Sequence, residues 1–151
     1  MSKPYQNIMV PYDGSTYSQK ALKMSIEVAK AFGSQVYLVN VIDVTTVSPP
    51  GQIHSKETRK TLDQIKNSIK NSAELYLEKI QKDHKDSGVI IKGFVLEGDI
   101  AGKLLKFAQE NNIDLVIIGS RGLSGISKIK TLGSVSRKVS ELAKCPTIIV
   151  R

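Results

Sequence analysis

D-L-V-I-I-G-S-R-G-L-S-G-I-S-K-I-K-T-L-G-S-V-S, residues Asp114–Ser136, begins with a continuous apolar run, Leu115-Val116-Ile117-Ile118, that Gly119 stops. A short run rich in β-branched residues suits a strand buried on both faces, as in a parallel sheet. Gly119, Gly122, Gly125 and Gly133 follow, separated by Ser, Arg and Lys. Ser134 then opens V-S-R-K-V-S-E-L-A, in which Val135, Val139 and Leu142 share one side of a helix. Glycines allow positive φ and close approach of the backbone, and the first N–H groups of a helix have no internal partner. Strand, glycine-rich loop and helix start together suit an anion such as a phosphate. Taken alone, the same residues read equally as an ordinary turn with a helix cap.

Working outward, G-S-R-G-L-S-G, L-G-S-V-S and C-P-T-I-I-V within Asp114–Val150 resemble the C-terminal signature of the universal stress protein family, in its ATP-binding type. The family pattern is G-x2-G-x9-G-[ST]; Gly119 and Gly122 match its first pair, and Gly133-Ser134 its last. Here ten residues separate Gly122 from Gly133, one more than the family's nine, and the extra residue is expected within Ser127–Thr131. It either bulges without consequence or moves Ser134 away from the phosphates. At the other end, N-I-M-V-P-Y-D-G-S resembles the family's first strand and turn, L-V-N-V-I-D its second strand and E-G-D-I its third turn.

The resemblance implies a set of ligand contacts. Pro11 stiffens the first turn, and Asp13 matches a carboxylate near ribose and phosphate, with a weaker implication of Mg²⁺ held beside the phosphates. Asp13 also suits an Asx turn with Gly14 and Ser15. Val41 matches the position whose main chain pairs with adenine. Gly119, Gly122, Gly133, Ser134 and Val135 would surround the phosphates with N–H groups and one hydroxyl. The implied ligand is ATP, with AMP or cyclic AMP meeting many of the same contacts.

At 151 residues the chain is expected to be one domain, 1–151, with ordinary charged and apolar fractions and few aromatics. No apolar run approaches a membrane helix, and residues 1–20 lack a signal-peptide core, so the expected location is the cytoplasm. Cys145 is the lone cysteine, which excludes an internal disulfide and a cysteine metal cluster. It is expected to be buried as a small apolar residue. The net charge is +8, and from Gly119 onward seven basic residues face one acid, Glu141. The remaining basic residues alternate with acids and read as solvated helix faces. Without interleaved aromatics or a nucleic-acid motif, a small anion accounts for this asymmetry better than DNA or RNA.

In chain order, a strand at Asn7–Pro11 leads through Tyr12-Asp13-Gly14-Ser15 into a helix capped by Ser15 or Ser18 and ending at Phe32-Gly33. Its expected buried side is Ala21, Leu22, Ile26, Val28, Ala29 and Phe32. Val36–Val41 is a second strand, and Asp43–Gln52 a loop. Lys56–Lys85 is a long helix whose stripe of Leu62, Ile65, Ile69, Ala73, Tyr76 and Ile80 is read as core contact. A third strand, Val89–Leu96, is expected to bulge at Gly93. Asp99 caps a helix over Ile100–Asn111 that buries Ile100, Leu104, Leu105 and Ala108, and Pro146–Val150 is a fifth strand.

This alternation predicts a doubly wound α/β domain. The resemblance implies a five-stranded parallel sheet of order 3-2-1-4-5, adenine nucleotide alpha hydrolase-like. It also implies a homodimer that pairs Thr147–Val150 with a second copy. His54 and His84 read as solvated, no catalytic set or P-loop is present, and at most slow ATP hydrolysis is expected. An ATP pyrophosphatase would show S-G-G-x-D-S after the first strand, which Asp13–Ser18 lacks. Two functions remain: a nucleotide-binding stress or signalling protein with unidentified protein partners, or a dimeric interaction module of the same family that binds no nucleotide.

Overall fold

The computed structural model describes residues 3–43, 51–123 and 132–151. The expectations for Gly125, for the extra residue in Ser127–Thr131 and for most of the Asp43–Gln52 loop lie outside the described residues. In order, the elements are β1 (Asn7–Pro11), α1 (Thr16–Phe32), β2 (Gln35–Ile42), α2 (Lys56–Asp83), β3 (Ile91–Glu97), α3 (Ile100–Glu110), β4 (Leu115–Gly119), α4 (Ser134–Leu142) and β5 (Thr147–Val150). A 3-10 turn, Lys85–Ser87, joins α2 to β3.

The strands form one sheet in the order β3-β2-β1-β4-β5, and every adjacent pair is parallel. Parallel neighbours need crossovers, and the intervening helices cover both faces. Ile8, Val10, Val36, Leu38, Leu115 and Ile117 point to the face packed by α1 and α2. Met9, Tyr37, Val39, Val116 and Ile118 point to the face packed by α3 and α4. β1 is central, with Ile8, Met9 and Val10 all 0% exposed. Each such side chain contributes about 1.5–3 kcal/mol by leaving water, which explains why the apolar runs have no polar alternation.

Local signals set most element boundaries. Ser15, not Ser18, caps α1, its side chain accepting from Ser18 N, and Gly33 closes the helix in the left-handed region at φ 71. Asp99 caps α3 through a bond from Gly102 N. The expected bulge at Gly93 is absent: β2 and β3 stay in unbroken register from Val36↔Ile91 to Ile42↔Glu97. Gly93 instead lets α2 approach, since a Cβ there would stand 3.2 Å from Leu77 Cβ. β3 begins at Ile91, leaving Ile90 exposed ahead of it.

The long helix corrects the sequence reading most. Of its stripe only Ile80 is buried, joined by Leu77, while Ile65, Ile69 and Tyr76 are exposed. The sheet lies beneath the C-terminal half of α2 and not beneath all of it. Phe32 and Leu142 are likewise exposed, although Phe32 still packs edge-on against Tyr5. Conversely, Ser25, Ala101 and Phe107 are buried where apolar periodicity did not place them. Cys145 is half-buried, and burial, with Asp114 nearby, pushes its thiol pKa up. His54 Nε2 is shielded from solvent without a hydrogen-bond partner among the described residues, so the solvated reading does not hold for that atom.

Candidate functional site

β1 lies between β2 and β4, so the chain's crossovers leave in opposite directions from its C-terminal end. Such reversals open a crevice that neighbouring elements do not fill. A cavity of about 370 Å³ occupies it. All eight residues singled out from the sequence line this cavity: Pro11, Asp13, Val41, Gly119, Gly122, Gly133, Ser134 and Val135. Gly119 and Ser134 come from opposite sides of the longer spacer, so the extra residue does not move Ser134 out of the crevice.

The cavity has two chemically different ends. Val39 and Val41 of β2, Ile118 of β4, Ile100 and Leu104 of α3, and Leu132 form an apolar wall. Asp13, Ser18, Gly119, Gly122, Ser134 and Ser136 supply backbone and hydroxyl groups at the other side. Asn40, also in the lining, donates its Nδ2 to Tyr12 O at 2.8 Å and so ties the end of β2 to the turn after β1. Ser18, Asn40, Ile100, Leu104, Leu132 and Ser136 were not recognised as site residues from the sequence. Ile100 and Leu104 sit at ordinary core positions of α3, Leu132 lies in the loop ahead of α4, and no local pattern marks the others.

Asp13 connects the two loops. Its Oδ1 accepts from Ser15 N at 2.9 Å, the bond of an Asx turn, and its Oδ2 accepts from Leu123 N at 3.1 Å. Burial opposes ionisation of this carboxyl, but the hydrogen bonds from Ser15, Leu123 and Ser18 outweigh it and hold its pKa below the usual value. Beside it the Tyr12 phenol is raised well above its ordinary range, first by burial and then by the Tyr76 hydroxyl 3.4 Å away.

The glycines have separate explanations. None of Gly119, Gly122 and Gly133 adopts a positive φ; at this site that conformation belongs to Gly14, at φ 84. Close approach is what the first two provide. A Cβ on Gly119 would stand 2.7 Å from Tyr17 Cβ, and one on Gly122 would stand 2.6 Å from Asp13 Oδ2. Gly133 is the N-cap of α4 and makes no side-chain cap bond, whereas Ser15, Ser55 and Asp99 cap the other three helices. Its own N–H donates to Ser120 O at 2.8 Å, and Ser136 Oγ donates to Gly119 O at 2.6 Å, anchoring the helix start against β4. Ser134 is therefore the first helical residue and not the cap. The opening N–H groups of α4 carry the partial positive charge of a helix start beside the cavity.

The universal stress protein family model matches residues 4–151. This chain belongs to that family. Over 150 residues it is 34% identical to universal stress protein YxiE of Bacillus subtilis, covering 97% of this chain and 99% of that protein. Among solved structures it superposes on MJ0577 of Methanocaldococcus jannaschii with a TM-score of 0.84 at 27% identity, over 97% of this chain and 95% of the other. A universal stress protein from Archaeoglobus fulgidus, solved in complex with dAMP, superposes with a TM-score of 0.61 at 23% identity, covering 97% and 98% of the two chains. The five-stranded parallel sheet and its order are those of this family's fold.

Proposed function

We propose that this universal stress protein binds ATP in the crevice between the β1 turn and the glycine-rich loop, and acts as a stress-response or signalling module. The observation that carries this reading is the cavity's division into an apolar wall and an uncapped helix start. Adenine would lie against Val39, Val41, Ile118 and Leu104, with the Val41 main chain addressing its edge. The phosphates would meet the N–H groups of Ser134 and Val135, the Ser134 hydroxyl and the backbone of Gly119 and Gly122. The Archaeoglobus fulgidus relative in complex with dAMP supports an adenine nucleotide in a fold of this kind. The same contacts would admit AMP or cyclic AMP.

Among the described residues, Asp13 is the one carboxylate in the lining. Mg²⁺ commonly binds through one or two carboxylates with the remaining ligands from phosphate and water, so Asp13 fits a metal held mainly by the nucleotide. Asp13 would also accept a ribose hydroxyl. As a general base it is poorly suited, because its depressed pKa makes it a weak proton acceptor. A binding role follows more directly than hydrolysis.

Calorimetric titration with ATP and Mg²⁺ tests the proposal. Micromolar affinity, about −8 kcal/mol, is expected for the native chain, and Ser134→Asp should abolish it. A carboxylate at the first helical position favours the helix by about 0.3–1 kcal/mol, so that variant should fold normally while repelling phosphate. Unchanged affinity in Ser134→Asp would overturn the model. No binding by the native chain would support the second reading, an interaction module that pairs the open edge of β5 with a second copy.

A further inference from the structure

The N-terminal half of α2 extends an apolar stripe beyond the sheet. Leu62 is half-buried, Ile65 and Ile69 are 44% and 38% exposed, and Ile53, just ahead of the helix, is 95% exposed. Between Lys56 and Lys70 the helix carries five cations (Lys56, Arg59, Lys60, Lys66 and Lys70) against two acids, Glu57 and Asp63. None of the five forms an ion pair among the described residues. Lys66 and Lys70 directly follow Ile65 and Ile69, and Arg59 stands three residues before Leu62, so these three cations line one flank of the stripe. Lys66 and Lys70 are half-buried, as expected of stems lying along apolar surface with ammonium ends directed outward.

We propose that this face of α2 docks on an anionic phospholipid bilayer. The stripe would enter the boundary between headgroups and acyl chains, and its basic flank would meet lipid phosphates and carboxylates. A helix with a narrow apolar side bordered by lysine and arginine has the composition of an interfacial helix. Charge decides against a second copy of this chain as the occupant, since self-pairing would oppose one set of unpaired cations to another. The stripe decides against a nucleic acid, which has no use for Ile65 and Ile69 between its phosphate contacts.

Vesicle co-sedimentation at low salt tests this, using phosphatidylcholine with and without about a third phosphatidylserine. The protein should sediment with the anionic vesicles and not with pure phosphatidylcholine. A lysine near an anionic surface is worth about 1 kcal/mol, or roughly five-fold. Lys66→Gln with Lys70→Gln should therefore weaken partitioning about 30-fold. Lys106→Gln with Lys144→Gln removes equal charge from the opposite side of the sheet and should change it by less than about two-fold. Ile65→Ser with Ile69→Ser should also weaken binding without altering charge, and thermal melts of each variant confirm folding. No sedimentation of the native chain, or equal loss in both lysine pairs, overturns the proposal. So does loss with the α2 lysine pair but not the isoleucine pair, accompanied by RNA binding, which would assign the face to a polyanion. A dimer broken by the isoleucine pair would assign it to a second copy.

Discussion

At the end of β4 a methyl group on Gly119 would stand 2.7 Å from Tyr17 Cβ, whereas at the start of α4 one on Gly133 would meet nothing nearer than Ser120 O at 3.4 Å. Both residues border the same crevice and belong to the same spaced glycine pattern. The strand end is crowded by α1, and the helix start has ordinary room. Gly119 is therefore required by the protein's own packing, with or without a ligand. Gly133 lacks any such requirement, so a constraint on it would come from what the helix start holds. A single motif thus combines a glycine that packing requires with one that packing does not.

The largest effect separating the two regions should come from Gly119→Ala. The new methyl would have to displace Tyr17 or the turn of α1, an overpacking cost of about 2–3 kcal/mol, read as a lower melting temperature without nucleotide. A melt matching the native protein would show that α1 yields and would break the contrast.

Ser15→Ala should come next, at about 1 kcal/mol, because it removes the cap that α1 has and α4 lacks. Its nucleotide affinity should stay near native, since Ser15 is not in the cavity lining.

A smaller effect depends on pH. The Asp13 carboxyl is held below its ordinary pKa, so the stability it contributes is present above that value and is lost as pH falls through the depressed one. Asp13→Asn should therefore melt below the native protein at pH 7, with the gap closing towards pH 3. A constant gap would assign the loss to geometry and not to charge.

The smallest change is expected from Gly133→Ala, within about 0.5 kcal/mol in either direction. Alanine is a poorer N-cap than glycine but restricts the unfolded chain. Urea denaturation measures this directly, and a loss comparable to Gly119→Ala would erase the distinction.

How much of this was legible in the sequence depended on whether the signal was local. Strands buried on both faces declare themselves as unbroken apolar runs, and Asp99, Gly33 and Gly119 mark ends through chemistry within a few residues. The α2 stripe was read wrongly because periodicity shows which residues share a side of a helix. It does not show whether the sheet extends beneath them, and Ile65 and Ile69 lie past its support. Of the polar side of the cavity the glycines, Ser134 and Asp13 were visible in the sequence, while of the apolar wall only Val41 was marked, by the family resemblance. Ile100 and Leu104 have the same spacing whether they face a core or a cavity beside one. Nor could spacing reveal that Gly119 is crowded by Tyr17, a residue about a hundred positions away in the chain.

The parallel register also bears on how the molecule can be labelled. Val150 is paired with Gly119, and its carbonyl accepts from Ser120 N at 2.8 Å, so the last strand finishes beside the crevice. At the opposite end of the sheet, Asp114 holds the N–H groups of Gln6 and Asn7 at 2.8 and 2.9 Å, where β1 begins. The five residues of β1 separate the two positions by about 17 Å. Under the proposed function, a fluorophore joined after Arg151 would stand close to the bound nucleotide, while one joined ahead of Gln6 would stand at the far end of the sheet as its reference.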